Sequence, residues 1–361
     1  EQVHGELTEY NPLLEVCFFM AAALNDVNSK CLVCSAELKF VGRKPGVCEK
    51  RLCQFGQGKL SLAFDLGSEL KSYPEVCDLL ISCAYTAANA SRWDFVPPAG
   101  VEAASGSKIE RLYNEETKAV DYMLLKEVLF RVPSVDEMIA EYTSGGAAGL
   151  SKSLEARHAL LEPTLRWIIT SNRAHIRYLE PHERIKGLGT DNQFVMLGAS
   201  PQHEWKFQME KSCTVKSRSS IWAWHGSHFK NWHSIVRTSL KNMSGTKYQA
   251  HGASYGKGIY LAKKSGTSLG YSKFDNSGMW PLSKLGKTQP QVLALCEIVN
   301  HRNLPKPNPY YVIPIEHWVA TRFLVVHNSE SRRHNVDANE AATKIPRKLM
   351  ESLQGPTKGD L

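Results

Sequence analysis

The chain has 361 residues, 42% of them apolar, and a formal net charge of +8. That length and composition predict two or three globular domains with sizeable cores, and no internal repeat or long low-complexity tract interrupts them. No apolar run reaches the ~18 residues of a membrane span; the longest, Leu13 to Leu24, is broken by Glu15, and there is no signal-peptide pattern at the start. The chain begins at Glu1 rather than methionine and so reads as a fragment.

Asn11-Pro12, followed by Leu13, Cys17, Met20, Ala21 and Leu24, predicts a capped structural helix ending at Asn25–Asn28. Cys31-x2-Cys34 and Cys48-x4-Cys53 come next, with Pro45-Gly46 supplying a tight turn before the second pair. Four thiolates at this spacing suit a closed, structural, tetrahedral Zn2+ site. Four packed cysteines or disulfide pairs are the alternatives, although nine cysteines without a secretory signal favour a reducing compartment. Cys17, Cys77, Cys83, Cys213 and Cys296 lie in apolar or helical contexts and are expected to be packed rather than reactive.

Residues 59–185 read mainly as helix. Val76, Leu79, Leu80 and Cys83 share one face; Val120, Leu124 and Val128 recur at i, i+4, i+8; Leu161, Leu165, Ile168 and Ile169 form another stripe. Trp93 to Gly106 reads as a Pro/Gly/Ser loop. Ser134 and Glu137 form a capping box for a helix carrying Met138 and Ile139, and Gly/Ala-rich Thr143–Leu150 reads as a linker. Strands are expected at Phe194–Leu197, at Ile221–Trp224 and over the apolar run Val292–Val299. Phe229, Trp232, Ile235, Val236 and Leu240 predict a helix behind the second of these. His225 thus falls at a strand end, where a side chain can reach a cleft. Gly256 and Gly258 precede a short strand, Ile259-Tyr260-Leu261, in which Tyr260 faces away from its neighbours. After His327 the chain turns polar, with a helix expected over Lys344–Leu353.

Charge is uneven. Lys211 to Cys296 contains thirteen Lys or Arg residues and a single acid, Asp275. Such a stretch is either a solvated basic face or a positive field for an anionic ligand or partner. Nucleic acid stays open as a partner, but no recognition-helix signature supports it. His182-Glu183 and His203-Glu204 lack the second histidine of a zinc-hydrolase motif, and there is neither a P-loop nor a strand–G-x-G-x-x-G–helix unit.

His225-Gly226-Ser227, then Y-G-K-G-I-Y-L-A, then S-L-G-Y ending at Tyr271, and finally P-Y-Y-V-I-P-I-E-H-W-V-A-T-R-F-L-V-V resemble the catalytic domain of the poly(ADP-ribose) polymerase family, the diphtheria-toxin-like ADP-ribosyltransferases. The resemblance covers about residues 150 to 330. It implies an α+β fold with a split antiparallel β-sheet core and flanking helices, preceded by a helical region and a small four-cysteine zinc-binding module. The expected organisation is 1–58 for the N-terminal helix and four-cysteine module, 59–149 helical, 150–330 catalytic, and 331–361 a polar tail. Polymer-forming relatives carry a helical regulatory subdomain before the catalytic unit, so an autoinhibitory role for the helices rests on analogy alone.

The resemblance also implies roles. His225 would hold the adenosine ribose of NAD+; Gly226 would grip the nicotinamide carboxamide, with Ser268 adding a hydroxyl contact. Tyr260 and Tyr271 would sandwich the ring, Ser227 and Ala262 would line the dinucleotide site, and residues 248–254 would cover it. Counting thirteen residues back from Phe323 puts Tyr310 at the third catalytic position, where polymer-forming members carry glutamate. His225, Tyr260 and Tyr310 therefore match the members that attach a single ADP-ribose. The expected activity is transfer of one ADP-ribose from NAD+ to protein side chains, the chain itself included, with release of nicotinamide, in the cytoplasm or nucleus. A silent NAD+- or ADP-ribose-binding scaffold is the alternative, and chain elongation would need Glu316 to act in place of Tyr310.

Overall fold

The structure is a computed structural model and describes residues 30–37, 48, 50, 53, 65–93, 97–105, 107–172, 174–198, 201–213, 220–247, 254–273, 278–286, 290–307 and 309–353. The helix expected over 11–28, Cys17, the side chain of Cys213 and residues 248–253 of the covering loop lie outside the described residues.

The first described helices are α1 (Leu66–Ser72) and α2 (Pro74–Asn89). The Asp65 carboxylate caps α1 by accepting from the N–H groups of Gly67 and Ser68, and Pro74 opens α2 at a position that needs no donor. Two small hairpins follow, β1 (Glu102–Ser105) with β2 (Lys108–Arg111) and β3 (Tyr113–Asn114) with β4 (Ala119–Val120). The expected loop after Trp93 thus contains a strand, and Val120 lies in β4 rather than in the helix that begins two residues later.

That helix is α3 (Tyr122–Phe130), capped by Asp121. It is followed by α4 (Val135–Arg157), where Ser134 accepts from the Glu137 N–H at 3.2 Å, the serine half of the expected capping box, while the Glu137 carboxylate accepts from Arg157. The stretch expected to be a linker lies inside α4. The helix breaks only at Gly146, whose φ of 64° is the left-handed conformation that glycine tolerates. Helix α5 (Leu161–Thr170) completes this layer.

A five-stranded antiparallel sheet follows, in the order β5 (His175–Tyr178), β6 (Gln193–Gly198), β11 (Val319–His327), β9 (Gln291–Ile298), β7 (Ile221–Gly226). A separate antiparallel pair is formed by β8 (Ile259–Leu261) and β10 (Tyr311–Ile313). The elements α6 (Pro201–Cys213), α7 (Trp232–Thr238) and α8 (Ser265–Leu269) connect strands. The expected α+β fold with a split antiparallel core is the one observed.

Strands β9 and β11 are buried on both faces, so two layers must cover them. One face, carrying Ala294, Cys296, Leu324 and Val326, belongs to the same apolar core as α1 to α5. Residues on either side of the expected 149/150 boundary therefore share one core. The other face carries Leu293, Leu295, Phe323 and Val325, and it packs with Val336, Ala338, Ala341, Ala342, Ile345, Leu349 and Leu353. These belong to α9 (Ala338–Thr343), α10 (Arg347–Ser352) and their flanks. Residues 331–353 are thus not a polar tail through their whole length, because the doubly buried sheet takes up their apolar stripe.

The helical layer meets the helix behind β7 through an aromatic stack. The fully buried Trp93 lies 4.4 Å from the His233 ring at an interplanar angle of 11°, and 5.0 Å from Trp167. The buried Arg237 guanidinium sits over Trp167 and donates to the carbonyls of His233 and Ile168. Burial, then the Arg237 charge, holds His233 well below its ordinary pKa, so the folded protein keeps it neutral.

The pH consequence has a definite sign. A histidine depressed in the fold but ordinary when unfolded lets the unfolded chain take up protons first. Stability is therefore full above about pH 6.5 and falls on acidification towards the folded value. We expect His233→Phe, which keeps a ring in the stack, to flatten the loss by up to about 1.4 kcal/mol per pH unit below pH 6.5. Urea midpoints at pH 7.5 and 5.5 measure this, and an unchanged difference between the two would refute it.

Candidate active site

Strand β7 delivers Trp224, His225 and Gly226 to the edge of the large sheet, and the small β8–β10 sheet is locked against that end. Trp224 and Ala262 exchange both backbone hydrogen bonds at 2.8 Å. Between them lies a cavity of about 550 Å³, lined among others by His225, Gly226, Ser227, Tyr260, Ala262, Ser268, Tyr271 and Tyr310. All the residues expected to act on a dinucleotide thus border one space. Residues that sequence reasoning missed also line it: Arg92, Lys230, Asn231 and Tyr255. Arg92 sits far away in sequence and carries no motif, so only the fold brings it in.

The His225 Nδ1 lies 2.9 Å from the Tyr260 carbonyl oxygen. A carbonyl can only accept, so Nδ1 carries the hydrogen and Nε2 is the acceptor of the neutral ring. Burial lowers the His225 pKa against the opposing pull of that carbonyl, which keeps the ring neutral.

Gly226 is set by close approach. A Cβ added there would stand 1.8 Å from the Ser268 carbonyl oxygen, so no other residue fits this backbone. The Ser268 hydroxyl donates to the Trp224 carbonyl at 2.8 Å, which leaves its oxygen to act toward a ligand as an acceptor. The Ala262 backbone is used in the bridge to Trp224, and what it adds to the wall is a methyl group.

The tyrosines form one cluster around Tyr310. Its ring centroid is 5.4 Å from Tyr255, 6.0 Å from Tyr260 and 6.3 Å from Tyr271. The Tyr271 and Tyr310 hydroxyls are 3.2 Å apart. The hydrogen bond shared with Tyr271, with some burial, raises the Tyr310 pKa, so this phenol is protonated at neutral pH. Tyr260 donates its hydroxyl to the Gly256 carbonyl at 2.7 Å and accepts from the Tyr255 N–H. As expected from alternation, Ile259 and Leu261 are buried while Tyr260 faces the cavity. Glu316 lies elsewhere. It accepts from Lys241 Nζ at 3.0 Å and from the Asn242 N–H at 2.9 Å, and it is not among the cavity residues.

The cysteine pairs converge separately. The sulfurs of Cys31, Cys34, Cys48 and Cys53 all lie within 4.8 Å of one another, and none of the described cysteines is in a disulfide. The Cys48 N–H points at Cys31 Sγ at 3.2 Å. Burial pushes the Cys31 thiol up, but backbone N–H groups of Cys48, Cys34 and Val33 outweigh it and bring the thiol down to about 6. A donor set of this kind suits a thiophilic tetrahedral cation. Cys77, Cys83 and Cys296 are buried, and burial pushes the last two up to about 12, so those two are inert as nucleophiles.

Residues 197–348 match the family described as poly(ADP-ribose) polymerase (PARP) catalytic domain. Against the span of about 150 to 330 suggested by the motifs, the matched residues start later, in β6, and run on through α9. Human protein mono-ADP-ribosyltransferase PARP8 is 29% identical over 349 aligned residues, which cover 87% of this chain and 39% of that protein. Its mouse counterpart gives the same figures. The likeness therefore extends from the matched residues into the helical layer, and the chain spans about two fifths of the length of these curated relatives.

Gly226→Ala must push apart β7 and α8 and should lower unfolding free energy by about 1–3 kcal/mol, as overpacking does. Urea denaturation reads it, and an unchanged midpoint would mean that the close approach is not a constraint.

Proposed function

We propose that the chain is an NAD+-dependent mono-ADP-ribosyltransferase that transfers one ADP-ribose to protein side chains and releases nicotinamide. The observation that carries this reading is the convergence of His225, Gly226, Tyr260, Ser268, Tyr271 and Tyr310 on one cavity, with tyrosine rather than a carboxylate at the third catalytic position. In this assignment Tyr260 and Tyr271 flank the nicotinamide ring, Gly226 meets its carboxamide through the backbone, and Ser268 accepts from its amide. His225 Nε2 accepts from a ribose hydroxyl, and Ser227 and Ala262 line the remainder.

The reaction breaks the bond between ribose C1 and the nicotinamide nitrogen. The bonding pair leaves with the ring, which becomes neutral, and C1 becomes oxocarbenium-like before the acceptor side chain attacks it. The cavity contributes by holding the ring and the ribose in a reactive pose. A neutral Tyr310 phenol can hydrogen-bond a ribose hydroxyl, but with a raised pKa it does not act as a base at neutral pH. An acceptor that is already nucleophilic needs no such base, whereas the hydroxyl of a bound ADP-ribose does. That difference supports single addition over chain growth.

Labelled NAD+ followed by gel electrophoresis tests this. We expect a single sharp labelled band, and mass spectrometry should find single ADP-ribose units. His225→Ala and Tyr260→Ala should each reduce labelling by at least about 10²-fold, the scale of a lost positioning contact, with folded chains by circular dichroism. A ladder of products would refute the mono-transfer reading. Binding of NAD+ without labelling would favour the scaffold alternative.

We further propose that Cys31, Cys34, Cys48 and Cys53 hold one structural Zn2+. The ion would tie together a segment with little apolar core of its own. Elemental analysis of the reduced protein should give about one zinc per chain, lost in Cys31→Ser and Cys48→Ser, as a four-thiolate site requires. A well-folded, reduced sample free of zinc would sink this assignment.

A further inference from the structure

Under the reading above, the cavity holds a dinucleotide whose anionic part is a diphosphate. Among the described residues its lining carries three Lys or Arg side chains, Arg92, Lys230 and Lys241, and no carboxylate. Lys241 is engaged by Glu316 at 3.0 Å. Arg92 differs in origin, because it lies outside residues 197–348 and comes from the helical layer.

Its backbone is held on both sides. Ser91 adopts φ 52° just past the end of α2, and its N–H donates to the Ala88 carbonyl at 2.9 Å. The Arg92 N–H donates to the Ala87 carbonyl at 2.8 Å. This pair of bonds is a Schellman cap, which aims the second residue past the helix in a fixed direction. The next residue, Trp93, donates its N–H to the Tyr122 hydroxyl at 2.9 Å and its indole N–H to the Ala84 carbonyl at 3.1 Å. Its ring is stacked on His233 of α7. The side chain is placed as well. Arg92 Nη2 donates to Asn231 Oδ1 at 3.1 Å, and Asn231 Nδ2 donates to Ser227 Oγ at 3.0 Å. A polar chain thus runs from the helical layer to the serine that follows His225 and Gly226.

We propose that Arg92 is a binding residue for the diphosphate of an ADP-ribosyl ligand, so that the helical layer supplies part of the substrate site. A planar guanidinium matches phosphate oxygens in geometry as well as charge. Holding it before the ligand arrives avoids the ordering cost of a long side chain. This assignment rests on the proposed function, since it presumes a dinucleotide in the cavity.

Calorimetric titration of the full chain with ADP-ribose and, separately, with benzamide tests it; benzamide is a flat amide-bearing ring without phosphate. Arg92→Gln removes the charge and keeps a donor for Asn231. It should weaken ADP-ribose binding about 10- to 100-fold, the worth of one charge-assisted hydrogen bond, and leave benzamide binding within about twofold. Arg92→Lys should recover most of the loss, and the salt dependence of ADP-ribose binding should be shallower in Arg92→Gln than in the wild type. Equal ADP-ribose affinity in Arg92→Gln and wild type would overturn this proposal alone. Parallel loss of both ligands would overturn it in favour of a structural role. Failure of the wild type to bind either ligand would overturn the proposed function and this inference with it.

Discussion

Arg322 is fully buried in the middle of β11, and the large sheet is arranged around its charge. Its Nη1 and Nη2 donate to the two Glu204 carboxylate oxygens at 2.9 and 2.8 Å, and its Nε donates to Glu297 at 2.8 Å. Lys211 adds a second cation to Glu297 at 2.6 Å, and Ser220 donates its hydroxyl to the same carboxylate. Two cations thus face two carboxylates, with Arg322, Glu204 and Glu297 buried and Lys211 at the partly exposed edge. Burial alone would raise the Glu297 pKa, but the Arg322 and Lys211 charges hold it down at about 2. Removing one partner of such a set leaves uncompensated buried charge, at a cost of about 3–5 kcal/mol.

The same residue fixes strand geometry. The register of β11 against β9 shifts between Thr321 and Phe323, so Arg322 is the extra residue of a bulge. The bulge changes the parity of everything after it and puts Phe323 and Val325 on the face covered by the C-terminal helices. Strand β9 in turn sets the register of β7, whose end carries His225 and Gly226. The ion network centred on Arg322 thus reaches, through Glu297 of β9 and Ser220, the strand whose end carries the candidate site.

Much of this was legible in the sequence because the relevant signals are local. His225 at a strand end, the alternation around Tyr260, the Ser134–Glu137 cap and the continuous apolar run of β9 each depend on a few neighbours. What was missed depends on contacts distant in sequence. Arg322 and Glu297 stand as single opposite charges inside two apolar runs, and that pairing was a readable sign of a buried ion pair. The stripe Ala338, Ala341, Ala342, Ile345, Leu349 and Leu353 has helical spacing, but alanine and scattered polar neighbours made it look like a tail. Only the need to cover a sheet buried on both faces shows its role. Gly146 suggested a linker because glycine weakens a helix, yet one left-handed residue suffices to break α4 and let it resume. Arg92 had no signal, since its place depends on the cap of α2 and on the stack of Trp93 against a helix more than a hundred residues away.

Tyr310 shows how closely the candidate chemistry is tied to packing. A count of residues alone would treat this position as an interchangeable slot, tyrosine in one protein and glutamate in another. In this fold Tyr310 touches Tyr255, Tyr260 and Tyr271 and shares a hydrogen bond with the last of them. A carboxylate there would lose those ring contacts. Tyr310 also lies against both Tyr260 and Tyr271, so a substitution at 310 would change the packing of those two rings. The identity of residue 310 and the arrangement of Tyr255, Tyr260 and Tyr271 are thus one constraint, so a single substitution at this position would rearrange the cavity wall along with its chemistry.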